Sequence, residues 1–354
     1  MKREREISFD VIRTLATLGI IIFHYSYNYI EYNIGGEHPF FGKFINGDWG
    51  SCFVAIFFML SGASLYLSHP AYENPLKFYF KRYISLFPIF YLAYIPAYIG
   101  NSIKLNMLYW GGDRKNIIYT LIGMDGYLLN PGYVQNYYRV GEWFMGAIVM
   151  IYLLYPFLRA VFSNKYLRLA FGLILFVLYY MNLTNDWFNI ADGKNMLTCT
   201  FNFYLGMYIC KYKEQLKNKI SLGLALVVFI VLAFINIDIP DLFAATLIAF
   251  AWFVIFINIS RYLCANDKVR NCFLFFSKYS FGMFLLHHLI IYKYMEPFSG
   301  KSINTMMWFF NMIVIIVLVI LSGVMLSICS GFIVKSITNM ILLIKSKILV
   351  DEQK

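Results

Sequence analysis

The sequence predicts an all-α, polytopic membrane helix bundle of about ten transmembrane helices, with both termini in the cytoplasm. Composition is the first reason. Of 354 residues, 60% are hydrophobic, 20% aromatic and only 14% charged, with a mean hydropathy of +0.63, whereas a soluble domain is about one quarter charged. The second is length. Apolar runs of about 20 residues, enough to cross the hydrocarbon core, recur along the whole chain. The third is that the basic residues sort by loop, as the segments taken in order show.

The apolar runs give ten spans, at residues 9–30, 48–68, 78–100, 142–161, 167–183, 197–210, 219–236, 240–259, 275–295 and 305–334. With the N-terminus inside, 21 of the 30 Lys and Arg residues fall in inner segments and 8 in outer ones, leaving Arg13 within the first span. Such asymmetry places the basic loops in the cytoplasm. It also accounts for the net charge of +11 without a nucleic-acid partner. Residues 101–141 are apolar in part but are broken by Gly123, Asp125 and Gly126. A crossing here would invert every later span and spoil the charge sorting, so an outward-facing re-entrant or interfacial element is expected. The first span is expected to be retained, being too long for a signal peptide and lacking a small-x-small cleavage site. The six cysteines show no CxxC and no metal spacing, and read as small buried hydrophobes. No internal repeat is evident. One integral membrane domain over 1–354 is expected, with short cytoplasmic tails at 1–8 and 335–354.

The first span holds the chemistry. FDVIRTLATLGIIIFHYSYNYI carries Asp10, Arg13 and His24 in an otherwise apolar helix. At about 100° per residue, the eleven steps from Arg13 to His24 return to within about 20° of the same face, about 16 Å along the axis. Asp10, three residues before Arg13, is its neighbour on the surface. Ionisable groups inside a span are costly and face a protein interior or a wet cavity. A neutral imidazole there can take a proton from a hydroxyl and return it. A guanidinium near the cytoplasmic mouth can bind phosphate bidentately. A salt bridge to Asp10 explains Arg13 equally well, and the two roles are compatible.

Other segments carry less. Lys81 and Arg82 open the third span in FYFKRYISLFP, where basic residues are also ordinary topology signals. Pro88 follows, a helix-kinking residue whose bend would open a cavity. Ser61 and Gly62 in FFMLSGASL read as close-packing positions. Glu142 and Trp143, in GEWF at the outer end of the fourth span, fit either an interfacial anchor or an acceptor entrance. His287 and His288 in SFGMFLLHHLIIY point about 100° apart, so at most one is expected to share a given pocket. A helix-packing hydrogen bond accounts for either.

Taken together, these segments resemble acyltransferase family 3, the multi-span acyltransferases that modify cell-surface and secreted glycans. Asp10-x-x-Arg13 followed by His24 is similar to the family's first-span motif, and FFMLSG to its second-span FFxLSG. FYFKRYISLFPIFY, WFMGAIVMIYLLYP from Trp143 to Pro156, and SFGMFLLH ending at His287 resemble its later segments. The chain departs from the pattern in three places. Ser85 stands where a second third-span arginine is common, Ile148 and Val149 stand where acidic residues often follow the Trp, and His288 replaces a frequent proline. It also resembles the membrane-only form, without an esterase-like extension.

The resemblance implies transfer of an acyl group, most often acetyl, from cytoplasmic acyl-CoA to a hydroxyl of a cell-surface or lipid-linked glycan. It implies His24 as the catalytic residue and Arg13 as the residue that binds or orients the donor; beside it, Lys81 and Arg82 are expected to help Arg13 hold the acetyl-CoA phosphates, and Asp10 to orient Arg13. Glu142, Trp143 and His287 are candidates for the acceptor side. No metal is expected, and the partners are acyl-CoA, a glycan acceptor and the bilayer of a bacterial plasma membrane. A polysaccharide exporter or flippase without chemistry is the alternative. It would be expected to show repeat symmetry and has no use for a basic cytoplasmic mouth. A proton-coupled carrier leaves the alignment of Arg13 with His24 unexplained.

Overall fold

The computed structural model describes residues 5–37, 39–69, 74–129, 132–135, 137, 139–140, 142–185 and 187–351, without the side chains of 142 and 341–351. The helices are α1 (Ile7–Glu31), α2 (Trp49–Ser68), α3 (Pro75–Leu105), α4 (Ile117–Leu121), α5 (Asp125–Leu129), α6 (Glu142–Ser163), α7 (Lys165–Asn185), α8 (Met196–Lys211), α9 (Lys213–Leu216), α10 (Lys219–Phe234), α11 (Asp241–Leu263), α12 (Asp267–Met295) and α13 (Thr305–Asp351). A two-residue antiparallel pair, Lys43–Phe44 with Gly47–Asp48, leads into α2. Polar residues at the edges of the apolar runs set where helices begin. Asp48, Asn74, Asn195, Asn218 and Asn266 accept backbone N–H groups at the starts of α2, α3, α8, α10 and α12, each cap contributing about 1 kcal/mol. Asn106, in the left-handed region at φ 48°, ends α3.

Each of the ten expected spans coincides with a helix, and eight are long and apolar enough to cross a membrane. The other two, α8 and α10, have 16 residues each, about 24 Å against a hydrocarbon core of about 30 Å. The chain is thus a multi-pass membrane bundle, with eight helices among the described residues long and apolar enough to cross and α8 and α10 shorter. From residue 335, where a tail was expected, the backbone continues α13 to Asp351. α7 and α13 turn apolar side chains outward, including Leu173 (63% exposed) and Leu321 (61%), as lipid-facing helices do.

The α1 helix lies at the centre, against α2, α11, α12 and α13. One side (Phe9, Ile12, Ala16, Ile20) packs with α2 and α11. Another (Ile21, Tyr25, Tyr29) packs with α12 and α13 around Trp308. Close approach of α2 to α8 depends on two glycines. A Cβ at Gly62 would sit 1.9 Å from the Phe203 carbonyl oxygen, and one at Gly206 would sit 2.0 Å from that of Met59. Both obstacles are backbone, so Gly206→Ala should force the helices apart and cost at least about 1–3 kcal/mol. A lowered melting temperature in detergent would register this, and an unchanged one would refute the contact.

Between α3 and α6 the described residues form a 3-10 turn at Arg114–Asn116 and the helices α4 and α5, of five residues each, too short to cross. Asp125 is buried there, accepting from the Thr120 hydroxyl (2.9 Å) and the Gly126 N–H (3.0 Å). Burial pushes its carboxyl up to about 6. The folded state then holds this proton where the unfolded chain has released it. Asp125's contribution to stability therefore falls as pH rises from the ordinary carboxylate range to about 6, and is flat above. Melting temperatures of the wild type should decline across that window relative to Asp125→Asn. Parallel curves would contradict it.

Candidate active site

At one end of α1, Asp10 anchors a polar cluster. Arg5 donates to both carboxylate oxygens, at 2.7 Å each, and the Ser277 hydroxyl donates to Oδ1 at 2.6 Å. Arg13 donates to Ser277 Oγ (3.1 Å) and Ser64 Oγ (3.2 Å), and its Nη1 is 3.9 Å from Asp10 Oδ1. Asp10 is therefore paired most closely with Arg5, and it keeps its ion pair with Arg13, to which Ser277 also links it. Fourteen residues, about 21 Å of helix rise, separate Asp10 from His24, so its influence on the imidazole is indirect. The partners of Arg13 come from α2 and α12, not from α3. On α3, Lys81 is exposed, while Arg82 lies 5.8 Å above the Phe78 ring.

At the other end, His24 lines a cavity of about 1500 Å³. It is also lined by Tyr32 and Asp48, the end of α3 at Lys104, Arg139, Asp192 with Lys194, and Lys293 with Glu296, all in segments that the charge sorting leads one to expect outside. Aromatic rings supply much of the wall, among them Phe23, Tyr27, Trp143 and Phe284. Trp143 lies 5.9 Å from the Lys194 ammonium, whose pKa burial holds below the ordinary lysine range. Pro96, not Pro88, lines the cavity, and α3 runs unbroken through both prolines. The side chain of Glu142 lies outside the described residues.

The α12 helix brings both adjacent histidines to His24. Ring centroids are 4.0 Å apart for His24–His288, 5.2 Å for His24–His287 and 4.5 Å for His287–His288. His287 is fully buried, whereas His288 faces the cavity. Of the pair only His288 lines the cavity, as expected, but both rings lie beside His24. Side chains about 100° apart on one helix straddle an imidazole that projects from the helix packed against them.

The contacts also give the register of the two helices. Asp10 and Arg13 meet Ser277, His24 meets His287 and His288, and the Tyr32 hydroxyl reaches the Tyr292 carbonyl at 3.2 Å. α1 and α12 therefore run parallel. Ser277 and His288 are separated by eleven residues, as are Arg13 and His24. That shared interval was the signal by which Ser277 and His288 could have been found. Arg5, Ser64, Asp48 and Lys194 had no such signal, because they join the site through tertiary contacts alone.

A pore, a binding protein or an enzyme can each use such a cavity, and comparison with known proteins narrows the choice. No curated protein and no solved structure matches the chain. A family model described as an acyltransferase domain matches residues 6–329, which includes α1 through most of α13 and every residue of both polar clusters except Arg5. The chain belongs to that family, acyltransferase family 3, and is a membrane acyltransferase.

Proposed function

We propose that this protein transfers an acyl group, acetyl in the simplest case, from cytoplasmic acyl-CoA to a hydroxyl of a cell-surface or lipid-linked glycan. The observation that carries the reading is the placement of His24. It stands at the wall of a large cavity open at one end, about 16 Å along the same helix from an arginine cluster at the other. The charge sorting of the loops supports assigning the arginine end to the cytoplasm and the cavity to the outside.

In this mechanism the phosphates of acyl-CoA engage the Arg13 end, with Lys81 and Arg82 adding positive potential at the same mouth. The thioester arm runs along α1 toward His24. The acceptor enters the cavity, whose volume exceeds the roughly 300–1,000 Å³ of drug-sized pockets and so suits several sugar units. The His24 imidazole takes the proton of the acceptor hydroxyl as its oxygen attacks the thioester carbonyl. The tetrahedral intermediate collapses with cleavage of the C–S bond, and the proton passes from His24 to the departing sulfur. The products are the acylated glycan and free CoA. Trp143 offers an apolar face for a sugar ring, and Lys194 beside it offers a donor for acceptor oxygens. Asp10, paired with Arg5, holds Ser277 and through it Arg13.

The test is transfer from labelled acetyl-CoA to surface glycans in membranes carrying the wild-type protein. Label appearing in hydroxylamine-sensitive ester on glycan supports the reading. Efficient export of glycan without any labelled ester would overturn it.

A further inference from the structure

The three histidines form a donor set that general-base chemistry does not require. We infer that His24, His287 and His288 constitute a binding site for a single first-row divalent cation of the zinc class, with its open coordination position turned toward the outer cavity.

Three observations carry this. The donor nitrogens of the three rings all lie within 4.8 Å of one another. Zn–N bonds of about 2.0–2.1 Å place tetrahedral donors about 3.4 Å apart, so closing the set takes movements of about 1.4 Å or less, within the range of side-chain rotation. His287 Nδ1 faces the Phe284 carbonyl at 2.5 Å. A carbonyl only accepts, so Nδ1 carries the hydrogen and Nε2 carries the lone pair. This is the arrangement that fixes the tautomer of metal-binding histidines. Finally, the set is enclosed on one side and open on the other, since His287 is fully buried while His24 and His288 line the cavity. Three imidazoles with one open position suit Zn²⁺, Co²⁺, Ni²⁺ or Cu²⁺, whereas Mg²⁺ and Ca²⁺ call for oxygen ligands.

The consequence for transfer rests on the role proposed for His24. A nitrogen that donates its lone pair to a cation cannot accept the hydroxyl proton, so loading the site from the outer side inhibits the enzyme reversibly. The site is then a point at which extracellular zinc regulates acylation.

Binding is tested on the full chain, purified in detergent with a tag free of histidine and stripped with chelator. Cobalt titration of the wild type should produce the visible bands of tetrahedral Co²⁺ at one equivalent, discharged by Zn²⁺. His288→Ala should weaken binding at least about tenfold, the loss that removing even an outer-shell partner of a metal site produces. Should that variant fail to fold, His288→Gln replaces it, and His24→Ala provides a second ligand deletion. Absence of the cobalt spectrum in the wild type, or equal affinity in the ligand variants, overturns the site. In transfer assays Zn²⁺ should inhibit the wild type, with chelator restoring activity, while the transfer that His288→Ala retains, whatever its level, should resist zinc. If the protein binds cobalt through these histidines but transfers only when loaded, the site stands and the general-base role of His24 falls. If it binds cobalt and transfers nothing under any condition, the site stands and the acyl-transfer reading falls.

Discussion

Replacing His24 by alanine is expected to lower acyl transfer by about two to four powers of ten, the contribution typical of a positioned general base. The protein should still fold and insert. His24 is only half-buried and faces a cavity, so its loss leaves α1 packed through Ile12, Ala16, Ile20 and Ile21. Binding of acyl-CoA should be nearly unchanged, because the arginine cluster is about 16 Å away. The measurement is single-turnover transfer from labelled acetyl-CoA, with calorimetric donor binding as the control. Transfer within a few-fold of wild type would remove His24 from the chemistry. Loss of donor binding along with transfer would make it structural instead.

The second large effect is expected at Arg13. Removing a charged donor from a phosphate contact costs about 1.5–3 kcal/mol, which is roughly a tenfold to hundredfold weaker Kd for acetyl-CoA in Arg13→Ala. Arg13→Lys should recover only part of it, since a lysine presents a point charge where the guanidinium offers a planar fork. The interior consequences are modest by comparison. Arg13 donates to the hydroxyls of Ser64 and Ser277 and pairs with Asp10 at 3.9 Å, while Asp10 keeps Arg5 as a bidentate partner and is not left uncompensated. Calorimetry on the purified variant decides between the roles. Wild-type affinity for acetyl-CoA in Arg13→Ala, with a lowered melting temperature, would assign Arg13 to the bundle rather than to the donor.

Much of the fold was legible because a bilayer imposes simple rules. A span must satisfy its own backbone hydrogen bonds and present apolar side chains over a fixed length, so hydropathy located every long helix. The same rules marked Asp10, Arg13 and His24, since ionisable groups in such a helix demand an interior destination. They did not say which destination. Hydropathy also could not separate full spans from short ones. α8 reads as a span in the sequence but is a short helix enclosed by protein, with Gly62 and Gly206 letting it press against α2.

Sequence by itself thus determined the helical membrane class, the sorting of basic loops and the shared face of Arg13 and His24, all consequences of periodicity and solvation within single segments. Tertiary structure decided what those residues meet. Arg5 proved to be the principal partner of Asp10, Ser277 the link to Arg13, Pro96 the proline at the cavity, and His287 together with His288 the neighbours of His24. The physical reason is register. Helical periodicity fixes angles within one helix, but the pairing of α1 with α12, which begins 236 residues after α1 ends, depends on how their side chains interdigitate. That packing choice, absent from either segment alone, brings three imidazoles to one place.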